Sequence, residues 1–206
     1  MPTDTFYRLP ESKREHVLSA LQSEIARSPF ENFSINNVLR DSGISRGSFY
    51  QYFRSKEDIY LYFLAGYQKS ILSFATKKLS GCGGDLFEAL ESSFRFAVRM
   101  LCYKDSREFR HNLFCNMWMY EMLFQKGMNG EAISDEIHAF LNEIDRSRLN
   151  LANDAELQTL VEICMTLSLK EAAGICMADK GEEEVNENFA RKLALLRKAY
   201  QKQDTP

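Results

Sequence analysis

The stretch of the sequence that decides the fold is Ser34–Lys56, which reads SINNVLRDSGISRGSFYQYFRSK. Two short helices are predicted here, since apolar residues three and four positions apart share one helical face. Gly43 between them permits a left-handed turn, and Ser45 is a hydroxyl N-cap for the second helix. The predicted buried face consists of apolar residues: Ile35, Val38, Leu39, Phe49 and Phe53. The stretch therefore predicts a helix, a tight turn and a second helix.

The outward side of the second helix has the chemistry of a DNA recognition helix, whose first residues meet base edges in the major groove. We expect Arg46 to bind guanine through two hydrogen bonds, Gln51 to bind adenine, and Gly47 to let the backbone approach the bases. Phosphate contacts are expected from the other outward residues: Ser48, Tyr50, Tyr52 and Lys56. The capping residues Ser34 and Ser45 complete the predicted DNA-binding set.

The aromatic residues of this helix allow a second interpretation, in which they form only a packing cluster. Two rings suffice for the inner face of so short a helix. Tyrosines beside arginine and lysine then need another reason to be there, and contact with DNA supplies it.

This segment resembles the DNA-binding head of the TetR (tetracycline-repressor-type) family over about residues 12–64. The residues that match the family pattern are Gly43, Ser45, Gly47, Tyr50, Tyr52, Phe53, Lys56 and Glu57. Leu39 and Ser42 stand where the family often has alanine, and Tyr52 where it often has histidine. The resemblance implies DNA binding, a dimer and an inducer pocket of mostly apolar character in the rest of the chain. It leaves the operator sequence open.

The charges of the chain are unevenly spread. Its 206 residues are 45% hydrophobic and 27% charged, which is typical of a globular protein with room for a small and a larger domain. The net charge is −3, yet residues 40–56 carry +3, which is compatible with phosphate contact. Neither a secretory signal nor a run of about 20 apolar residues is found, so we expect a cytoplasmic protein without a membrane span.

Periodicity and helix-breaking residues predict an all-α fold. A head of three helices (12–28, 34–43 and from 45) begins at a capping box, Ser12 with Glu15. A long fourth helix, from Ser55 to about Leu79, joins the head to a body of five helices at 85–103, 106–126, 131–149, 154–180 and 182–202. We predict a helix-turn-helix DNA-binding domain at 1–64 and a helical ligand-binding and dimerisation domain at 65–206.

The predicted body has two features that suggest partners. Helix 106–126 is apolar on nearly every side, so it is either buried or lines a cavity. We predict a pocket for a small apolar or amphipathic effector lined by Phe94, Met100, His111, Phe114, Met117, Trp118 and Glu121. The last two helices present more apolar surface than one chain covers, which predicts a homodimer through them.

These features predict a homodimeric transcriptional regulator, a repressor that a small-molecule inducer releases from a near-palindromic operator in double-stranded DNA. An alternative is a dimeric helical interaction protein that acts through a protein partner instead. We expect no enzyme activity, because no nucleophile, phosphate-loop or metalloprotease motif is present. Five scattered cysteines without a C-x-x-C pair predict reduced thiols, and no metal or cofactor is expected.

Overall fold

Helices make up most of the chain in this computed structural model, which describes residues 1–103, 107–114, 134–178 and 180–202. The helices in chain order are α1 (Asp4–Tyr7), α2 (Glu11–Arg27), α3 (Ile35–Ser42), α4 (Arg46–Tyr52), α5 (Lys56–Gly81), α6 (Leu86–Cys102), α7 (Arg107–Phe114), α8 (Ser134–Asn142), α9 (Asp154–Met177) and α10 (Glu182–Tyr200). Two 3-10 turns lie at Phe30–Asn32 and Arg146–Arg148. The all-α prediction is confirmed. None of the described helices is both long and apolar enough to cross a membrane.

The chain divides into two compact units, Met1–Tyr67 with Tyr103–Ala132 and Gln68–Cys102 with Ile133–Pro206. This grouping differs from the predicted division at residue 64, because α7 packs within the first unit. The Asn112 side-chain amide donates to the carbonyl oxygens of Ile25 and Ala26 at 2.8 and 3.2 Å. The Phe109 ring meets Phe63 edge to face at 5.3 Å.

The core of the first unit is rich in aromatic and branched side chains from α1 to α5 and α7. Its fully buried members are Phe6, Val17, Leu21, Ile25, Val38, Phe49, Phe53, Ile59, Tyr60, Leu64 and Leu113. The sequence did not predict α1, since four residues with one buried ring, Phe6, are too short to show periodicity. The predicted capping box at Ser12 is also wrong. Helix α2 begins one residue earlier, after Pro10, whose ring pre-sets a helix-compatible φ, and no side chain caps it.

The core of the second unit lies between α6, α9 and α10. Phe94 of α6 stacks on Phe189 of α10 with ring centroids 4.1 Å apart. The buried carboxylate of Asp85 accepts hydrogen bonds from Arg148 at 3.1 Å and from Arg197 at 2.8 Å. These charge-assisted bonds fix the start of α6 to the end of α10.

Helix α8 is shorter than the predicted helix 131–149, because it ends at Asn142. Asp145 caps the 3-10 turn that follows, with its carboxylate accepting from the Ser147 N–H at 3.0 Å. The backbone of Asp145 also donates to the Gly84 carbonyl oxygen at 3.1 Å. Gly84 has a φ of +75°, and a Cβ there would lie 2.6 Å from Asp145, so only glycine fits.

Candidate nucleic-acid interface

Helices α3 and α4 form the predicted helix-turn-helix, and each begins at the expected serine. Ser34 Oγ accepts from the Asn37 N–H at 3.4 Å, and Ser45 Oγ accepts from the Ser48 N–H at 3.1 Å. Gly43 ends α3 with a φ of +69° and donates its N–H to the Leu39 carbonyl oxygen at 3.0 Å. The caps and the left-handed glycine therefore set the angle between the two helices.

Helix α4 has one buried and one exposed side. Phe49 and Phe53 are fully buried, as the sequence predicts for its inner face. Exposed residues form the other side: Ser45, Arg46, Gly47, Tyr50 and Gln51, with Ser48 half-buried beside them. Tyr50 is 45% exposed and meets the edge of the Phe49 ring at 5.5 Å. The exposed side is thus polar, carries a positive charge at Arg46, and has no side chain at Gly47.

Tyr52 is the exception among the predicted DNA-binding residues. The expectation that it faces outward is wrong, because its side chain is only 4% exposed. The ring packs beside Phe6 of α1 with centroids 6.2 Å apart. The Tyr52 carbonyl oxygen also accepts from the Thr3 N–H at 3.0 Å. Helix α1, which the sequence did not reveal, covers this position.

Two basic side chains of the predicted interface already have partners in the protein. The Arg46 guanidinium donates to the Asn36 side-chain oxygen, which draws Arg46 towards α3. The Lys56 ammonium donates to the Phe30 carbonyl oxygen at 2.9 Å and lies 4.1 Å from the centre of the Phe30 ring. Lys56 is therefore tethered at the start of α5 and half-buried.

A further ion pair lies on α3. Asp41 accepts hydrogen bonds from Arg40 at 2.9 Å and Arg27 at 3.2 Å. The Arg40 hydrogen bond, followed by that of Arg27, lowers the pKa of the Asp41 carboxyl below its ordinary value of 3.8. Asp41 thus stays ionised and offsets part of the positive charge of residues 40–56.

The buried carboxylate of Glu24 is a structural determinant of this site that sequence reasoning missed. Glu24 lies on α2, is 1% exposed, and accepts the backbone N–H of Ser34 at 3.0 Å. It also accepts from both the Asn37 side-chain amide, at 3.1 Å, and Arg27, at 2.7 Å. A signal was present, because Glu24 stands three residues after Leu21 within the apolar stripe of α2. A carboxylate on a buried face needs several donors.

The predicted effector-binding residues fall in different parts of the structure. In the second unit, Phe94 is buried in the stack with Phe189, and Met100 is half-buried. In the first unit, His111 is exposed and Phe114 meets Tyr67 edge to face at 5.2 Å. Met117, Trp118 and Glu121 lie outside the described residues.

Comparison with known proteins matches both parts of the chain to one family. Residues 17–63 match the profile described as bacterial regulatory proteins of the tetR family, and residues 85–198 match the tetracyclin repressor-like C-terminal domain. No curated protein matches the sequence.

Solved structures of low sequence identity share the fold. A candidate TetR-family transcriptional regulator from Syntrophomonas wolfei has 15% identity and a TM-score of 0.66, with 90% of this chain and 95% of that one covered. A TetR family transcription regulator from Marinobacter aquaeolei has 18% identity and a TM-score of 0.52, with 94% and 97% covered. At these identities the likeness shows the fold alone. The two profile matches show more, since the C-terminal one alone spans over half of the chain. The protein belongs to the TetR family of transcriptional regulators, which are DNA-binding transcription factors and not enzymes.

Proposed function

We propose that the protein is a homodimeric repressor that binds a near-palindromic operator through α4 and leaves it when a small molecule binds the body. The observation that carries the DNA-binding part is the exposed side of α4, held in place by the Ser34 and Ser45 caps and by the Gly43 turn. A DNA-binding regulator acts where the chromosome is, so we expect it in the cytoplasm.

Gly47 supports direct contact between α4 and the bases. Its backbone is not in the left-handed region, and the nearest described atom to a Cβ added there is Ser45 Oγ at 3.9 Å. Neither backbone strain nor internal crowding therefore calls for glycine at this position. A DNA backbone or base edge close to α4 would call for it.

The other contacts follow from exposure and chemistry. We assign Arg46 and Gln51 to base edges, since both are exposed and carry the donors and acceptors that guanine and adenine match. Ser45, Ser48 and Tyr50 are assigned to phosphates, and half-buried Ser34 and Lys56 are assigned to the rim of the interface through the Ser34 hydroxyl and the Lys56 ammonium. We assign Tyr52 to packing, because α1 covers it.

The dimer that we propose uses α9 and α10. Among the described residues, these helices carry two large aliphatic side chains that are exposed, Ile163 at 39% and Leu195 at 69%. A two-fold dimer would present two copies of α4 about one DNA turn, or a multiple of it, apart. An effector that binds the dimer better in another arrangement shifts the population away from that spacing. We place the effector site in the body (65–206). We expect the effector to be a small apolar or amphipathic molecule.

The test is fluorescence anisotropy with a labelled fragment of the promoter of the protein's own gene and with a scrambled fragment. We expect the wild type to prefer the promoter, and Arg46→Ala to lose about 5- to 100-fold in affinity, the range for one bidentate base contact. Lys77→Ala, which removes an exposed charge from the second unit, is the matched control and should bind as the wild type does. Equal, weak binding of both fragments by the wild type, with the dimer intact, would contradict specific recognition.

A further inference from the structure

The residue before α1 makes two hydrogen bonds to the C-terminal end of α4. Thr3 donates its backbone N–H to the Tyr52 carbonyl oxygen at 3.0 Å, and its hydroxyl donates to the Gln51 carbonyl oxygen. Both carbonyls belong to the last turn of α4, where a helix has no further N–H groups of its own to offer them. Thr3 therefore caps the end of α4 from outside that helix.

The Thr3 side chain serves α4 rather than its own helix. Thr3 is the N-cap residue of α1, a position where threonine commonly accepts an N–H from the first turn that follows. Within the part of the chain that the structure describes, α1 has no side-chain cap, and the Thr3 hydroxyl turns to Gln51 instead. The four-residue helix α1 thus lacks a favourable cap, while the end of α4 gains a hydrogen bond.

Aromatic packing holds the same end of α4. The Phe6 ring of α1 is fully buried, with its centroid 6.2 Å from that of Tyr52 and 4.9 Å from that of Phe53. Burial of apolar rings is not directional, so it allows small rotations of the backbone. The hydrogen bonds from Thr3 are directional and act on the Gln51 and Tyr52 carbonyls themselves. They therefore fix the backbone of the last turn more closely than the rings do.

The two residues that we assign to base edges lie at opposite ends of α4. Arg46 follows the Ser45 cap, whose Oγ accepts from the Ser48 N–H at 3.1 Å. Gln51 stands one residue before the end of a helix of only seven residues. Helix ends fray, so loss of the last turn would displace Gln51 and leave Arg46 in place.

We propose that Thr3 is a positioning residue for DNA recognition, because its two hydrogen bonds keep the last turn of α4 helical and so hold the Gln51 side chain at the base that it contacts. The inference rests on the proposed function, since it needs α4 to contact bases. The Thr3 side chain is half-buried and its hydroxyl proton is donated to Gln51, so we assign it no direct contact with DNA.

The experiment is a double-mutant cycle, measured by anisotropy with the labelled promoter fragment and the scrambled fragment. Thr3→Val removes the hydroxyl at similar volume and should weaken promoter binding about 2- to 10-fold, the range for one hydrogen bond. In a Gln51→Ala background the same change should have no further effect, because the side chain that Thr3 positions is gone. In an Arg46→Ala background the full loss should remain. Thr3→Ser, which keeps the hydroxyl, should bind as the wild type does.

A control variant and a measurement without DNA complete the design. Thr5→Val alters an exposed threonine of α1 and should leave promoter binding unchanged. Amide hydrogen exchange of the DNA-free protein reports on the two ends of α4 separately. Thr3→Val should speed exchange of the Phe53 N–H, which bonds the Phe49 carbonyl oxygen in the last turn. It should leave exchange of the Phe49 N–H, which bonds Ser45, unchanged.

The outcomes separate this inference from the proposed function. Equal losses from Thr3→Val in the wild-type and Gln51→Ala backgrounds would overturn the inference, because Thr3 would then support the whole fold or contact DNA itself. Wild-type promoter affinity in Thr3→Val, whether or not exchange is faster, would also overturn it, since packing of Phe6 would then suffice. A wild type that binds both fragments equally would instead contradict the proposed function, and with it any base contact by Gln51.

Discussion

The carboxylate of Glu24 accepts the backbone N–H of Ser34 at 3.0 Å, and this bond ties the end of α2 to the start of α3. Ser34 is also the N-cap of α3. Its hydroxyl caps the helix, while its backbone N–H is held by Glu24. The helix-turn-helix is therefore anchored by a buried charge rather than by apolar packing alone.

We expect Glu24→Gln to destabilise the protein by about 2 kcal/mol. A glutamine side chain has one accepting oxygen where glutamate has two, and its NH2 group would face the N–H donors of Ser34 and Asn37. Chemical denaturation measures this loss. DNA affinity should fall as well, since the start of α3 is released. Glu15→Gln, on the exposed side of the same helix, should change neither quantity. A Glu24→Gln protein with wild-type stability would show that the buried carboxylate contributes nothing net.

The two glycines of the interface should respond to alanine in opposite ways. Gly47→Ala should keep the stability or raise it by up to about 1 kcal/mol, because alanine is the better helix former. Its DNA affinity should fall at least tenfold if α4 lies against DNA at this point. Gly43→Ala should cost about 1–2 kcal/mol, since its φ of +69° disfavours a Cβ. Thermal unfolding and anisotropy measure the two effects. Unchanged DNA binding by Gly47→Ala would argue against close approach there.

Tyr50 and Tyr52 should be distinguishable although they are two residues apart. Tyr52→Phe should leave DNA affinity unchanged, because the ring is buried against α1, whereas Tyr50→Phe should weaken it about fivefold by removing one hydrogen bond to a phosphate. Tyr52→Ala should destabilise the fold by about 3 kcal/mol. Anisotropy and denaturation curves give both quantities. The assignment of the two tyrosines would be reversed if Tyr52→Phe weakened binding and Tyr50→Phe did not.

Asp41 gives a prediction for acid pH. Its pKa is lowered in the folded protein by Arg40 first and Arg27 second. A lowered folded pKa means that the stabilising contribution is fully present above the unfolded pKa near 3.8 and is lost as the pH falls through the folded value. NMR titration should therefore place the Asp41 midpoint below 3.8, and Arg40→Ala should move it upward. Arg8→Ala, which removes an exposed arginine on another element, should not. Because Asp41 is exposed, about 1 M salt should reduce the shift.

The sequence was sufficient to predict the elements that depend only on residues close together in the chain. Ser34, Gly43 and Ser45 specify their caps and turn through their own chemistry, so the residue pattern alone places the helix-turn-helix. Tyr52 could not be placed correctly, because what buries it is a four-residue helix some 45 positions earlier in the chain. Glu24 was missed because two of its donors, Ser34 and Asn37, come 10 and 13 positions later in the chain. Local sequence patterns do not predict the surroundings of side chains whose neighbours lie far away in the sequence.

The seven residues of α4 divide between two separate tasks. Phe49 and Tyr52 hold the helix in the core, while Arg46, Gly47, Tyr50 and Gln51 face solvent. A gene copy can therefore accumulate changes at the exposed positions and acquire a new operator without losing its folded state. The same division lets an engineer graft the exposed residues of a relative onto this scaffold, because the positions that change are exposed and those that keep the helix in place are buried.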